Sequence, residues 1–307
     1  MISKVVICAL MVSLLGTTAE AVTLIYGTAL SGPHKAATLY SISSTTGAAR
    51  AVGYIGFNQV GVLAFAPNGT LYGVGQNGAD KWVLLKIDLI SGAGTAVGPT
   101  GLQSSFHDIA FRSDGTLFGY ARSVGENSKS GLVYTIDTNT GAGRLVGNVT
   151  GGLEESAPVA FSSENVLYTV NERSLTTIAP TLAGPVTALH YSSSFGSVPS
   201  EASAMKFDAT TGNLWALVGT SGNANGNYLA TIDVKTGNVT PVGETAKGLQ
   251  SLALQPRDNP GPGPLPSSLI FMISGALALI GWNLWARSRP GTQVAVLEPL
   301  QKNRQAV

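Results

Sequence analysis

Two aromatic positions recur along this chain at steps of 46 to 50 residues, and no other feature limits its fold as strongly. The first is Phe65, Phe111, Phe161 and Phe207, with Leu254 in the fifth place; the second is Tyr26, Tyr72, Phe118, Tyr168 and Trp215. Each first aromatic ends an apolar run. A polar turn follows, and the second aromatic sits in the next run, as in LAFAPNGTLYGVG (63–75) and IAFRSDGTLFGYA (109–121). A second unit comes after each of these. It is an alternating strand ending in I-D-x-x-T-G, with Ser91 for the Thr in the first copy, and a short strand ending in V-G, at 86–98, 135–147 and 231–243; a copy at 41–53 lacks the Asp. Around Thr177 to Tyr191 the copy is degenerate, with Pro180 and Pro185 where turn residues are expected.

Each repeat thus supplies four short strands with Gly, Asn and Asp turns, which predicts antiparallel hairpins. Four strands at this period are the signature of one blade of a β-propeller. With the strands lettered a to d from the inside, the mature chain begins in a strand b (Val22–Gly27) and ends in a strand a (Leu249–Gln255). One blade is completed only if these ends meet. The expectation is an all-β, five-bladed β-propeller over 22–257, closed by its N-terminal strand b and C-terminal strand a. Closure removes the sheet edges that a linear β-solenoid, the competing arrangement, would expose.

The two ends read as targeting segments. Residues 1–21 have a charged start at Lys4, an apolar run and a small-x-small site, so a secretory signal peptide is expected with cleavage between Ala21 and Val22. Residues 258–268 form a Pro/Gly linker that can enter neither helix nor sheet interior. Residues 269–286 are an uncharged apolar stretch with tryptophans at its far edge, and 287–307 are a basic-flanked tail. This predicts a single-pass transmembrane helix with its C-terminal end cytoplasmic and the repeat domain outside. Pro264, Pro266, Ser267 and Ser268, the apolar helix, and Arg287 and Arg289 together resemble a PEP-CTERM-type sorting signal. That likeness implies a bacterial surface protein handled by an exosortase. Leu265 stands where the family's Glu is characteristic, and the tail after Pro290 is longer than is usual there. A plain C-terminal anchor is the alternative. The S-D-G-T-L-F-G stretch (113–119) and the I-D-x-x-T-G turns are similar to YVTN and NHL propellers, a likeness that specifies the blade and no activity.

Composition narrows the chemistry. Residues 22–258 hold 13 Lys and Arg against 15 Asp and Glu, with no basic stripe for nucleic acid. The one cysteine, Cys8, lies in the leader, so the mature domain has no thiol, disulfide or Cys-bound metal. His34, His107 and His190 share no metal spacing. Asp88, Asp137 and Asp233 read as structural turn residues, each accepting from backbone amides two residues on. Binding residues concentrate on loops, and the rim where strand d leads into strand a carries Gln59, His107, Asp108, Glu154, Glu155, Glu201 and Gln250. This amide-rich, acidic set suits a polar glycan or a cation, with calcium the candidate. His107 and Asp108 are sequence neighbours on a strand and point to opposite faces.

The functional expectation is an exported, envelope-anchored, non-catalytic binding or structural module. It would contact extracellular polysaccharide or protein through the rim. One alternative is a lyase- or lactonase-like enzyme at the central channel. Another is a matrix component released after exosortase-type processing. No catalytic residue and no cofactor is assigned.

Overall fold

The computed structural model describes residues 23–32, 34–79, 81–102, 106–122, 131–149, 158–171, 174–179, 181–191, 195, 199–220 and 223–256. The leader with Ala21 and Val22, the acidic residues Glu154 and Glu155, and the C-terminal segment with Pro264, Pro266, Ser267, Ser268, Arg287 and Arg289 lie outside them. The described chain is all-β. Among the described residues no helix is long and apolar enough to cross a membrane.

The strands form antiparallel four-strand meanders. In the first, β1 (Leu24–Ser31) and β2 (Ala36–Ser43) pair with the first part of β3 (Ala49–Phe65). The second half of β3 pairs with β4 (Leu71–Gln76), and β5 (Trp82–Ile87) and β6 (Gly94–Pro99) follow. β3 therefore serves two meanders. It changes partner near Asn58, where Gly56 (φ 84°) and Gln59 (φ 53°) leave the extended region. The third meander is β7 (Phe106–Phe111), β8 (Leu117–Arg122), β9 (Gly131–Ile136) and β10 (Gly143–Val149). The fourth is β11 (Val159–Phe161), β12 (Leu167–Asn171), β13 (Ser174–Ala179) and β14 (Thr181–Ala188). After the short β15 (His190–Tyr191) comes the fifth: β16 (Pro199–Phe207), β17 (Leu214–Thr220), β18 (Asn223–Ile232) and β19 (Asn238–Glu244). Finally β20 (Ala253–Leu254) returns to the first meander and pairs with β1, Ile25 opposite Leu254 and Tyr26 opposite Ala253. The ladder here is short because the Ser251 hydroxyl accepts the Thr28 amide at 3.0 Å. Pairing resumes at Gln250 N–H to the Thr28 carbonyl, 2.8 Å, and at the Ala29–Leu249 bridge.

Apolar side chains from both sheet faces fill the space between successive meanders. Leu39, Leu63 and Leu85 pack between the first and second, and Leu84, Phe106 and Ile109 between the second and third. Tyr120 and Val159 join the third to the fourth, and Leu175 and Met205 join the fourth to the fifth. Ile25, Leu217, Leu229 and Leu252 then join the fifth back to the first. Each fully buried leucine contributes about 1.5–3 kcal/mol relative to exposure.

The periodic aromatics explain the order. The strand-b ring of one meander meets the strand-a ring of the next: Tyr26 with Phe65 (5.7 Å), Tyr72 with Phe111 (5.6 Å), Phe118 with Phe161 (5.3 Å) and Tyr168 with Phe207 (5.3 Å). Trp215 shares a cluster with Leu254, so the fifth meander meets the first in the same way. Burial pushes the Tyr26 phenol up to about 12. This head-to-tail sequence of meanders, with β20 completing the first, is the architecture of a β-propeller.

The c–d turns lock the outer parts of the seams. In the second meander the Asp88 amide donates to the Ala93 carbonyl and the Gly92 amide to the Asp88 carbonyl, both at 2.9 Å. Gly92 has φ 79°, and a Cβ there would strike Gly53 of the first meander. The Gly98 edge packs in the same way on Thr140 and Gly141, and the Gly243 edge on Thr46 and Gly47. The fourth meander departs from this pattern. β13 and β14 pair with register shifts at Leu175/Thr176 and Thr176/Ile178 and lack the Asp-initiated turn.

Candidate functional site

Every innermost strand contributes to one cavity of about 290 Å³ at the end where strand a turns into strand b. Its floor is the row of strand-a terminal residues, Phe65, Phe111, Phe161, Phe207 and Leu254. Its rim comes from the turns that follow, including Ser113, Ser162, Ser163 and Thr210.

One position deeper, the inner strands carry Ala64, Ala110, Ala160, Lys206 and Ala253, all buried. Four small side chains leave a gap that one long one fills. The Lys206 Nζ donates to Asp108 Oδ2 at 2.6 Å and to the Val159 carbonyl at 3.1 Å. The same Asp108 carboxylate accepts from the Val159 amide (2.9 Å) and the Ile109 amide (2.8 Å). This network ties β7, β11 and β16 together. Burial pushes the Asp108 carboxyl up, while the Lys206 charge, its hydrogen bond and the two amides pull it back. A charge pair this buried is tolerated because ammonium and carboxylate bond each other and backbone groups.

Asp208 lies at the cavity edge, only 5% exposed. It accepts from the Thr210 amide (2.9 Å), the Thr211 amide (3.2 Å) and the Thr23 hydroxyl (2.9 Å). Arg112, also at the edge, pairs with Asp114 and lies 5.3 Å from the Phe118 ring.

The residues expected at the other rim sit at the starts of the inner strands, at the opposite end from this cavity. Gln59 hydrogen-bonds Gln76 through their side-chain amides, and the Gln250 side-chain carbonyl rests against Gly61. His107 lies 6.0 Å from the Tyr120 ring at a tilt of 46°, while Asp108 turns inward to Lys206. Glu201 belongs to β16, and its side chain lies outside what is described. Among the described residues no group of three or more His, Asp and Glu is placed to hold a metal.

Asp88, Asp137 and Asp233 cap turns. Ser91, Asn139 and Lys235 amides donate to them at 2.7–2.8 Å. These bonds hold all three carboxyls below the ordinary aspartate range; for Asp88 the Ser91 hydroxyl is the largest contributor. The sequence reading missed a fourth such turn, D-A-T-T-G at 208–212, where the Gly212 amide donates to the Asp208 carbonyl at 2.8 Å. It also missed the cavity serines. Their signal was available: Ser113, Ser162 and Ser163 fall one or two places after the strand-a phenylalanines.

No protein-family model matches this chain, and no curated protein matches it. Among solved structures it is similar to a gluconolactonase of Xanthomonas campestris, at 11% identity over 75% of this chain and 78% of that one, TM-score 0.42. It is similar to a chain of a nidogen–laminin complex at 11% identity over 76% and 98%, TM-score 0.45. It is similar to TolB of Acinetobacter baumannii at 14% identity over 73% and 54%, TM-score 0.43. These are β-propeller proteins.

Proposed function

We propose that the chain is an exported, envelope-anchored binding or structural module whose five meanders are the blades of one ring. In this reading residues 1–21 direct export and 269–286 anchor the domain or present it to an exosortase-type enzyme. The single observation that carries the non-catalytic reading is the inner ring. Its buried charges, Asp108, Lys206 and Asp208, are bonded to one another, to backbone or to the Thr23 hydroxyl, so none is poised as a base or nucleophile for a substrate. Asp108 and Lys206 act as a pin across three inner strands.

The test measures two properties of the full chain: co-sedimentation with envelope polysaccharide and ring opening of an aldonolactone. Lys206→Met strands a buried carboxylate and is expected to destabilise by about 3–5 kcal/mol. The double change Asp108→Leu with Lys206→Met is expected to recover most of that stability. Lactone turnover that disappears in Asp108→Asn, with thermal stability retained, would replace this reading with the channel enzyme.

A further inference from the structure

We propose that the cavity at the strand-a ends binds a single pyranose unit of an uncharged polysaccharide, an inference that rests on the reading of the chain as a binding module. Three features of the cavity select that chemistry.

The first is size. At about 290 Å³ the cavity falls just below the range of pockets for drug-sized ligands and holds about one ring.

The second is charge. Lys206 has Asp108, Arg112 has Asp114, and Asp208 already accepts from two amides and a hydroxyl. An ionic ligand would have to compete with one of these arrangements. An uncharged ligand would not.

The third is the kind of surface. Phe111, Phe161 and Phe207 offer aromatic area to the C–H face of a sugar, and Ser162 and Ser163 carry hydroxyls that both donate and accept. At the base is the Lys206 ammonium. Its side chain is 10% exposed and lines the cavity. It has three N–H donors, of which Asp108 and Val159 take two. The third is available to a ligand oxygen. A buried donor with an unused bond, beneath an aromatic and hydroxyl-bearing wall, fits the two-sided character of a pyranose.

One sugar in one bowl binds weakly, but several anchored copies on one polymer would gain effective concentration. A polymer with repeated end groups would be held much more tightly than its free monosaccharide.

The experiment is saturation-transfer NMR on the full chain in a zwitterionic detergent without a sugar headgroup. The probes are glucose, galactose, mannose, rhamnose and N-acetylglucosamine, with glucuronate and inorganic phosphate as anionic arms. At least one neutral sugar is expected to show transfer at its ring protons. Ser163→Trp, a change at an exposed position that fills the bowl, is expected to weaken that sugar by roughly tenfold or more, about 1.4 kcal/mol. Thr95→Ala, at an exposed position on the outer strand β6, is expected to leave it unchanged, and both variants are checked for unaltered melting. The assignment is overturned if no neutral sugar binds, if an anion binds more tightly than every neutral sugar, or if Ser163→Trp binds like the parent. If those results appear while the chain still sediments with envelope polysaccharide, the bowl assignment falls and the module reading stands.

Discussion

The second and fourth meanders share the first half of the repeat and differ in the second half, and the difference shows what joins one meander to the next. Both have the paired aromatics: Tyr72 meets Phe111 at 5.6 Å and Tyr168 meets Phe207 at 5.3 Å. The inner seams are therefore alike. The outer seams are not. The second meander has the Asp-x-x-Ser-Gly turn, and the Gly53 edge of the first sits directly on it. The fourth has no such turn, and among the described residues nothing lies within 4 Å of the Cβ position at Gly147, the matching edge of the third. Leu145 and Val146 beside it are 54% and 57% exposed. Among the described residues the fourth meander is joined to its neighbours by the aromatic pairs, by the apolar clusters around Val159 and Leu175 and by the Lys206–Asp108 pin. The turn-on-glycine contacts are an addition where they occur.

The comparison breaks most sharply at those glycines. Gly98→Val would drive a branched side chain into the Thr140 carbonyl. It is expected to cost about 3 kcal/mol, the upper part of the overpacking range. Gly147→Val meets no atom of the described residues within 4 Å and has a strand backbone that suits valine. It is expected to fall within about 0.5 kcal/mol of the parent. Urea midpoints of the two variants check this. Equal losses would mean that the third seam is packed like the second.

A smaller effect sharpens the same contrast. The Asp137 carboxyl is held below its ordinary range, first by the Asn139 amide. A depressed folded-state value means that the turn stabilises the protein above roughly pH 4 and loses that contribution as pH falls. Asp137→Asn is expected to melt lower than the parent at pH 6 and to approach it near pH 3. A constant gap across that range would show that the charge of Asp137 does not matter. The fourth meander has no corresponding group to titrate.

How much of this was legible beforehand depended on the kind of signal. Period and strand count were readable because the aromatics and the V-G edges recur in sequence. The staggered ends implied that residues 249–255 meet the first strand, and Leu254 lies opposite Ile25. The pairing of Tyr72 with Phe111 was not readable, because a period says how often a residue returns and not which neighbour it faces. Asp108 resembled a rim residue because its position at the start of a strand carries no information about Lys206, 98 positions away. The cavity was missed because Ser113, Ser162 and Ser163 look like ordinary turn residues until five strand ends are brought together. Lys206 was legible as one of the few charges on the inner strands, and with the repeats aligned on their phenylalanines it alone interrupts a ring of alanines.

The central claim is that the two ends of the domain complete one blade and close the ring. The most direct measurement pairs Ala29→Cys with Leu249→Cys, residues bridged antiparallel at the junction, in a Cys8→Ser background. Mild oxidation is expected to give an intramolecular disulfide in the folded protein and to raise the urea midpoint. The closed loop is long, and its constraint on the unfolded chain is worth up to about 5 kcal/mol. Two thiols that stay free in the folded protein under the same oxidant, with the single-cysteine variants equally stable, would contradict the closed ring.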